Sequence, residues 1–351
     1  MSTLIYGATG YTGELIAREM TDRGRRPTIA GRDREGVTKI ATELDCPSEV
    51  VSLDEPIRLR DALAVHDVVL HCAGPFVHTA EAMVEACLDA GTHYLDVTGE
   101  IPVFERLADR DEVARDAGVT LLPGVGFDVV PTDCLARSLA DRCAEPRELR
   151  LAVDTSGRLS RGTLRTAIEG LGTGALVRRD GRLVNVPIGW GTRRVSFDGD
   201  ERIVTTVPLG DLSTAYRSTG IETIETAVTI PNWARLGLSI ARHAEALLSS
   251  EPVRSGARRL IEAFPEGPSE DERERESTRI HGEVVEGERS VSGLLSAPEL
   301  YSTTVRTAIA AVEGTLDGVE PGFLTPATAF GPEFVDGIER IEWVREPEET
   351  I

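Results

Sequence analysis

Short apolar runs punctuate the first third of the chain, at 3–6, 27–31, 49–53, 66–74, 92–97 and 119–124. Each is of strand length and bounded by glycine, proline or polar clusters. Between them the apolar positions fall at helical spacing. Residues 11–23 put Leu15, Ile16 and Met20 on one face and stop at Gly24. Residues 35–44, 56–64, 78–90 (ending at Gly91) and 102–116 (ending at Gly118) follow the same rule. The run HDVVLHCAG (66–74) is nearly all apolar, as a strand covered on both faces must be. Strand and helix alternate throughout, which predicts an α/β fold: a Rossmann-type, doubly wound parallel sheet.

Beyond residue 133 the alternation stops. A helix is expected at 134–143, a strand at 148–155 and a glycine-containing helix at 162–176. Residues 178–186 and 193–207 are strand runs interrupted by Asp-Gly turns, the signal of hairpins and an antiparallel sheet. A strand at 221–230 and helices at 233–249 and 252–264 come next. The segment PEGPSEDERERES (265–277) has no apolar payload and reads as a solvated link. A hairpin at 278–295, a helix at 299–313, part of a closing helix at 332–338 and a strand at 339–344 complete the pattern. Helix 233–249 is more apolar than its neighbours and is expected to pack on the core or on a second subunit.

The alternation explains the glycines of LIYGATGYTG (4–13), which lie in the first strand-to-helix turn. Gly7 permits the tight turn, Gly10 lets a pyrophosphate approach the backbone, and Gly13 allows close helix–strand packing. Amides near Gly10, Tyr11 and Thr12 would then face the phosphates, aided by the helix dipole. Gly7, Thr9, Gly10, Tyr11, Thr12 and Gly13 are therefore the first cofactor-binding candidates. The second strand ends AGRD, with Gly31 where an acid would meet a ribose hydroxyl and Arg32 beside it. Glycine leaves room and arginine pairs with a 2′-phosphate, so NADP is expected over NAD. Asp33, two residues further on, would instead serve NAD. CAGPF (72–76) follows the fourth strand and places Ala73, Gly74 and Pro75 near the nicotinamide half. Asp54, past the third strand, would meet the adenine side.

Four stretches together resemble the saccharopine dehydrogenase-like oxidoreductases, including the trans-acting enoyl reductases. They are YGATGYTG (6–13) with AGR (30–32), CAGPF, YLDVTGE (94–100) and PGVGFDVVPTD (123–133). SRGTLRT (160–166) and TPATAFG (325–331) also look like motifs of that family. His71 departs from it, standing where relatives often carry a small polar residue such as asparagine. The resemblance implies an NADP-binding Rossmann domain at 1–133 and a second α/β domain on a mainly antiparallel sheet at 134–320. It also implies a carboxyl-terminal segment, 321–351, that returns to the first domain.

Charge and cysteine content narrow the classes. Lys and Arg total 38 against 59 Asp and Glu, a net −21, and Lys39 is the single lysine. Such a surface repels nucleic acid. The 5 cysteines are scattered without a CxxC pair, so reduced thiols are expected, with no disulfide frame and no metal site. No run reaches membrane-span length and no export signal is visible, so the expected location is cytoplasmic. An exposed sheet face in the second domain would support a homodimer.

Proton-handling candidates must come from loops at the carboxyl edge of the first sheet. Glu100 and Asp128 are the leading acids, with Asp96, Thr98 and Asp133 nearby; each of these also suits a helix cap or a helix amino-terminus. His71 and His78 lie near the cofactor turn, while His66 and His93 sit at the opposite edge. Lys39 lies in the second helix, away from the cleft, which argues against a lysine base. Ser160, Gly162, Thr163 and Thr166 would present hydroxyls to a substrate or merely start a helix. The leading reading is an NADPH-dependent oxidoreductase reducing a C=C or C=N bond of a small or lipid-like substrate. The alternatives are a non-catalytic NADP-binding sensor or scaffold, and an amino-acid dehydrogenase of lysine metabolism.

The acidic, lysine-poor surface points to a halophilic source, because concentrated salt screens self-repulsion. Raising KCl from low to molar concentration is expected to raise the melting temperature; a melting curve indifferent to salt would remove that reading.

Overall fold

The computed structural model describes residues 2–155, 175–187, 189–230, 255–256, 259–260 and 267–350. The expected helix at 233–249, that at 162–176 apart from residues 175–176, which are strand, most of that at 252–264, and the stretch Ser160–Thr166 fall outside the described residues. The chain divides into two compact units, Met1–Val130 with Tyr301–Phe334, and Pro131–Leu300 with Val335–Ile351.

The first unit alternates as expected: β1 (Thr3–Tyr6), α1 (Tyr11–Asp22), β2 (Thr28–Gly31), α2 (Arg34–Leu44), β3 (Ser48–Val50), α3 (Pro56–Leu63), β4 (Val68–His71), α4 (Phe76–Ala90) and β5 (His93–Asp96). The expected single helix at 102–116 is two, α5 (Ile101–Ala108) and α6 (Asp111–Ala117), followed by β6 (Thr120–Leu122). The break falls in the polar sequence Asp109-Arg110, where Arg110 turns to pair with Glu85 of α4.

Strands run β6-β5-β4-β1-β2-β3, all pairs parallel, so the order reverses between β1 and β4. In a doubly wound sheet, ligands bind at that reversal, outside the strands' carboxyl ends. Both faces are covered. Leu4 and Tyr6 join one core with Val69, Met83 and Tyr94; Ile5 joins the other with Ile16, Leu70, Leu95 and Leu122. The second core is completed from far along the chain by α10 (Leu300–Asp317), whose Val305, Ala308, Ile309 and Val312 pack into it.

The second unit holds α7 (Val130–Ala140), which enters it at Pro131, and β7 (Glu148–Thr155), β8 (Ala175–Arg179), β9 (Arg182–Val186), β10 (Arg193–Phe197) and β11 (Asp200–Thr206). It continues with α8 (Asp211–Thr219), β12 (Thr223–Thr229), α9 (Glu270–Arg275), β13 (Ser277–Glu286) and β14 (Arg289–Pro298). Its sheet is mixed and mainly antiparallel; β12 beside β7 is a parallel pair. Helix α8 was not signalled by the apolar pattern. Within the expected link 265–277, Ser269 and Glu272 cap α9 reciprocally, so local hydrogen bonds order a segment with no apolar payload.

The carboxyl-terminal residues divide between two destinations instead of returning together to the first unit. Gly322–Phe323 forms β15, parallel to β6, and α11 (Pro326–Phe330) starts at a Thr325–Thr328 capping box. The rings of Phe330 and Phe334 stack 4.4 Å apart and pack on the second core of the first unit. Pro332–Gly337, which carries Phe334, is a 3-10 helix where part of a closing helix was expected, and β16 (Glu342–Thr350) pairs antiparallel with β14 in the second sheet. Strand β16 finds the open edge of a long hairpin, which the local sequence cannot announce.

Among the described residues no helix is long and apolar enough to cross a membrane. Inside the second unit, a Cβ on Gly282 of β13 would lie 2.6 Å from Leu139 Cδ1 and 3.0 Å from Leu135 Cδ2 of α7. Gly282→Val is expected to cost about 1–3 kcal/mol through overpacking, read as a lower urea midpoint at unchanged slope.

Candidate functional site

The turn after β1 is built to keep backbone exposed. Gly7 takes φ +84°, and its N–H donates to the Ala30 carbonyl at 2.9 Å. Gly10 N–H donates to the Gly7 carbonyl at 3.0 Å, and Gly10 then serves as the α1 N-cap without a side chain. The first bond inside α1 is Glu14 N–H to the Gly10 carbonyl, 2.9 Å. The amides of Thr12 and Gly13 precede it and have no carbonyl one turn back. Gly13 is required by packing: a Cβ there would come within 2.9 Å of Ala8 Cα and overlap the Gly7 carbonyl oxygen. Thr9 and Gly10 are exposed. Glu14, the acid of this first turn, is held by Arg18 at 2.7 Å. The Tyr11 ring packs edge-on against Tyr301 of α10, centroids 5.0 Å apart.

The β4 loop closes on this turn. Cys72 N–H donates to the Tyr6 carbonyl at 2.7 Å, and a Cβ on Gly7 would lie 2.7 Å from Ala73 N and 2.8 Å from Ala73 Cβ. Gly7 is therefore demanded twice, by its φ and by Ala73. Gly74 is exposed and Pro75 is the N-cap position of α4. Beneath the loop, His71 is fully buried among Tyr6, Phe76 and Tyr94. Its Nε2 meets Thr79 Oγ1 at 3.0 Å, and that hydroxyl donates to the Ala73 carbonyl at 2.7 Å. The pairing assigns the proton to Nε2 and leaves Nδ1 without a partner. Burial pushes the His71 pKa down to about 3, so the ring is neutral and structural. Burial likewise raises the Cys72 and Cys87 thiols, which removes them as nucleophiles.

The β5 and β6 loops are tied to each other and to α4. Asp96, fully buried at the end of β5, accepts the Tyr94 hydroxyl at 2.6 Å and the amides of Thr98 and Gly124 at 2.9 Å each. Desolvation raises its pKa to about 6 against those three bonds, which favour the carboxylate. Thr98 Oγ1 accepts Glu100 N–H at 3.0 Å. Glu100 reaches across the sequence instead of into a cleft. Its Oε1 accepts Phe76 N–H at 2.8 Å and its Oε2 accepts Val77 N–H at 2.7 Å, so both oxygens cap α4. That commitment argues against the expected acid–base role. Asp128, on the β6–α7 loop, is exposed, and a Cβ on Gly99 would meet its Oδ2 at 2.7 Å. Desolvation by the protein packed around its carboxyl raises its pKa.

At the other end of the turn, Gly31 closes β2 with space limited by Val37 Cγ2, 3.3 Å from its would-be Cβ. Arg32 is exposed and makes no hydrogen bond or ion pair among the described residues. Asp33, the alternative ribose ligand, is the α2 N-cap and accepts Glu35 N–H at 3.2 Å. The α2 amino-terminus lies beside the phosphate turn: a Cβ on Gly36 would be 2.6 Å from Asp33 Oδ2 and 3.0 Å from Thr9 Cγ2. Asp54 is exposed and accepts the Ser52 hydroxyl at 3.3 Å. Burial raises the Tyr6 hydroxyl, opposed by Arg32 and reinforced by Asp54, so all three gather at one end of the sheet. The other candidates lie elsewhere. His78 and Lys39 are exposed, His66 and His93 make structural bonds to Ala62, Thr28 and Thr120, and Asp133 accepts Ser218 Oγ at 2.6 Å within the second unit. Among the described residues no group of His, Cys, Asp and Glu is placed to hold a metal ion.

This donor set suits a dinucleotide. Bare amides and a neutralised first-turn acid fit a diphosphate, and an arginine without a partner beside a glycine fits a 2′-phosphate. Residues 3–122 match the family described as the saccharopine dehydrogenase NADP binding domain. A trans-acting enoyl reductase of Mycobacterium ulcerans is 29% identical over 199 residues, covering 52% of this chain and 48% of the relative. A human saccharopine dehydrogenase-like oxidoreductase is 31% identical over 150 residues, 37% of this chain and 35% of the relative. The matched part thus spans about half, or less, of the length of these curated relatives. Apo saccharopine dehydrogenase (L-Glu forming) of Saccharomyces cerevisiae shares the fold over 100% of both chains, with a TM-score of 0.66 at 13% identity.

Because His71 is held neutral in the folded state and is free to protonate when unfolded, its contribution is intact above pH 6.5 and is lost as pH falls towards 3. The slope is on the order of 1.4 kcal/mol per pH unit. His71→Asn cannot titrate, so its stability deficit relative to the native chain should shrink on acidification, measured by urea unfolding between pH 7 and 4.

Proposed function

We propose, from the match of residues 3–122 to the saccharopine dehydrogenase NADP binding domain, that the chain is an NADP-dependent oxidoreductase acting on a C=C or C=N bond of a small or lipid-like molecule. The observation that carries the proposal is the bare turn at the β1–β4 reversal with Ala73 seated against Gly7. The bound nucleotide supplies the hydride chemistry. The chain's own residues bind and orient. The α1 amino-terminus takes the diphosphate, Arg32 the 2′-phosphate, and Ala73, Gly74 and Pro75 border the nicotinamide half. The names of the mycobacterial relatives favour an enoyl substrate.

Asp128 is an exposed residue at this edge whose carboxyl pKa is raised by desolvation, which supports it as the proton donor. A second reading, an NADP-binding sensor or scaffold, draws on the commitment of Glu100, Asp96 and His71 to structural hydrogen bonds. Turnover separates the two: NADPH oxidation in a panel of enoyl and imine substrates supports the enzyme, and tight binding with none supports the sensor.

Calorimetry should give a lower Kd for NADPH than for NADH. Arg32→Ala should weaken NADPH about 10–100-fold, the worth of charge-assisted bonds, and leave NADH nearly unchanged. A native preference for NADH would overturn the NADP assignment. Asp128→Asn should lower kcat by about 10²–10⁴ at unchanged NADPH affinity; an unchanged kcat would remove Asp128 from the chemistry.

A further inference from the structure

Two helix amino-termini flank the β1–β4 reversal. That of α1 carries no side-chain cap, whereas that of α4 is filled from within by Glu100. We propose that Glu100 is a positioning residue for the nucleotide: its carboxylate occupies the anion seat of α4 and thereby holds the Ala73–Pro75 turn against the phosphate turn. The inference rests on the NADP reading above and adds to it a residue that touches neither substrate nor cofactor.

The turn is held from both ends. Thr79 Oγ1 donates to the Ala73 carbonyl at 2.7 Å, and the two amides that follow Pro75 donate to Glu100 at 2.8 and 2.7 Å. Each carboxylate oxygen takes one amide, a charge-assisted pair aligned with the α4 dipole. Glu100 is itself anchored. Its amide donates to Thr98 Oγ1 at 3.0 Å, Thr98 N–H donates to Asp96 Oδ1 at 2.9 Å, and Gly124 N–H donates to that same oxygen at 2.9 Å. One continuous chain of hydrogen bonds therefore joins the β6, β5 and β4 loops and ends at the turn that meets Gly7. Removing the carboxylate leaves the Phe76 and Val77 amides without their acceptor and lets Ala73 retreat. The same occupancy closes α4 to the diphosphate, so the cofactor's phosphates have one helix amino-terminus to choose, that of α1.

The test is calorimetric binding of NADPH by the full chain and by Glu100→Ala and Glu100→Gln, well below their melting temperatures. Glu100→Ala should bind NADPH about tenfold more weakly with an unchanged circular dichroism spectrum, the loss expected for one pair of charge-assisted bonds. Formate, small enough for the vacated seat, should restore the affinity saturably, whereas chloride at matched ionic strength and neutral formamide should not. Glu100→Gln should lose affinity without rescue, because its own amide fills the seat. A role confined to stability would lower the melting temperature and leave the Kd of the folded protein alone. Variants that bind NADPH like the native chain, or a Glu100→Ala deficit that formate leaves untouched, would overturn the proposal. Should Glu100→Ala not fold, Glu100→Gln decides through its Kd, together with hydrogen exchange at the Phe76 and Val77 amides. A native chain that ignores NADPH would overturn the parent reading and this one with it; normal native binding with unaltered variants would overturn this one alone.

Discussion

Between Gly7 and Ala73 there is no room for a methyl group, and the architecture of the first unit converges on that gap. Parallel strands buried on both faces must be joined by helices, and the reversal of strand order places two strand-to-helix turns side by side. Backbone must then meet backbone. A side chain on Gly7 would part the loops, and one on Gly13 would lift α1 off the strand that feeds it. What remains is a shallow floor of peptide groups, which can meet a diphosphate more closely than any side chain would allow.

Around this floor nearly every polar group has a partner. Asp96 keeps a buried charge through three donors, Glu100 spends both oxygens on α4, and His71 stays neutral to support Thr79 and the Ala73 carbonyl. Rigid, satisfied networks of this kind specify geometry. They also leave few groups for chemistry: Arg32 after β2 and Asp128 on the β6 loop are exposed charges. An edge this sparsely equipped suits a reaction whose hard step belongs to the cofactor.

The strands and helices up to β6 were legible because both periodicities, two for strands and 3.6 for helices, are strong there. The glycine turn was legible because spacing and context agreed. The loops around it were not, since their contacts are set in three dimensions. Glu100 lies 23 and 24 residues from the amides it caps, and no local pattern links them. Asp33 stood as the alternative ribose ligand by position, yet the helix beginning next to it takes one of its oxygens. His71 stood near the cofactor turn in the sequence, and its burial shows it to be packing. Helix α10 was visible as a helix, but its membership of the first unit, nearly 180 residues after β6, could be decided only by which apolar face lacked cover.

That last arrangement bears on how the first unit can be inherited. The chain leaves it after Val130, re-enters at Tyr301 and leaves again after Phe334. A contiguous cassette cut from the amino-terminal sequence would lose Val305, Ala308, Ile309 and Val312 from the core they share with Leu70, Leu95 and Leu122. Shuffling such a cassette into another gene would transplant a sticky half-domain, so the nucleotide fold and its distant helix must travel as one heritable package.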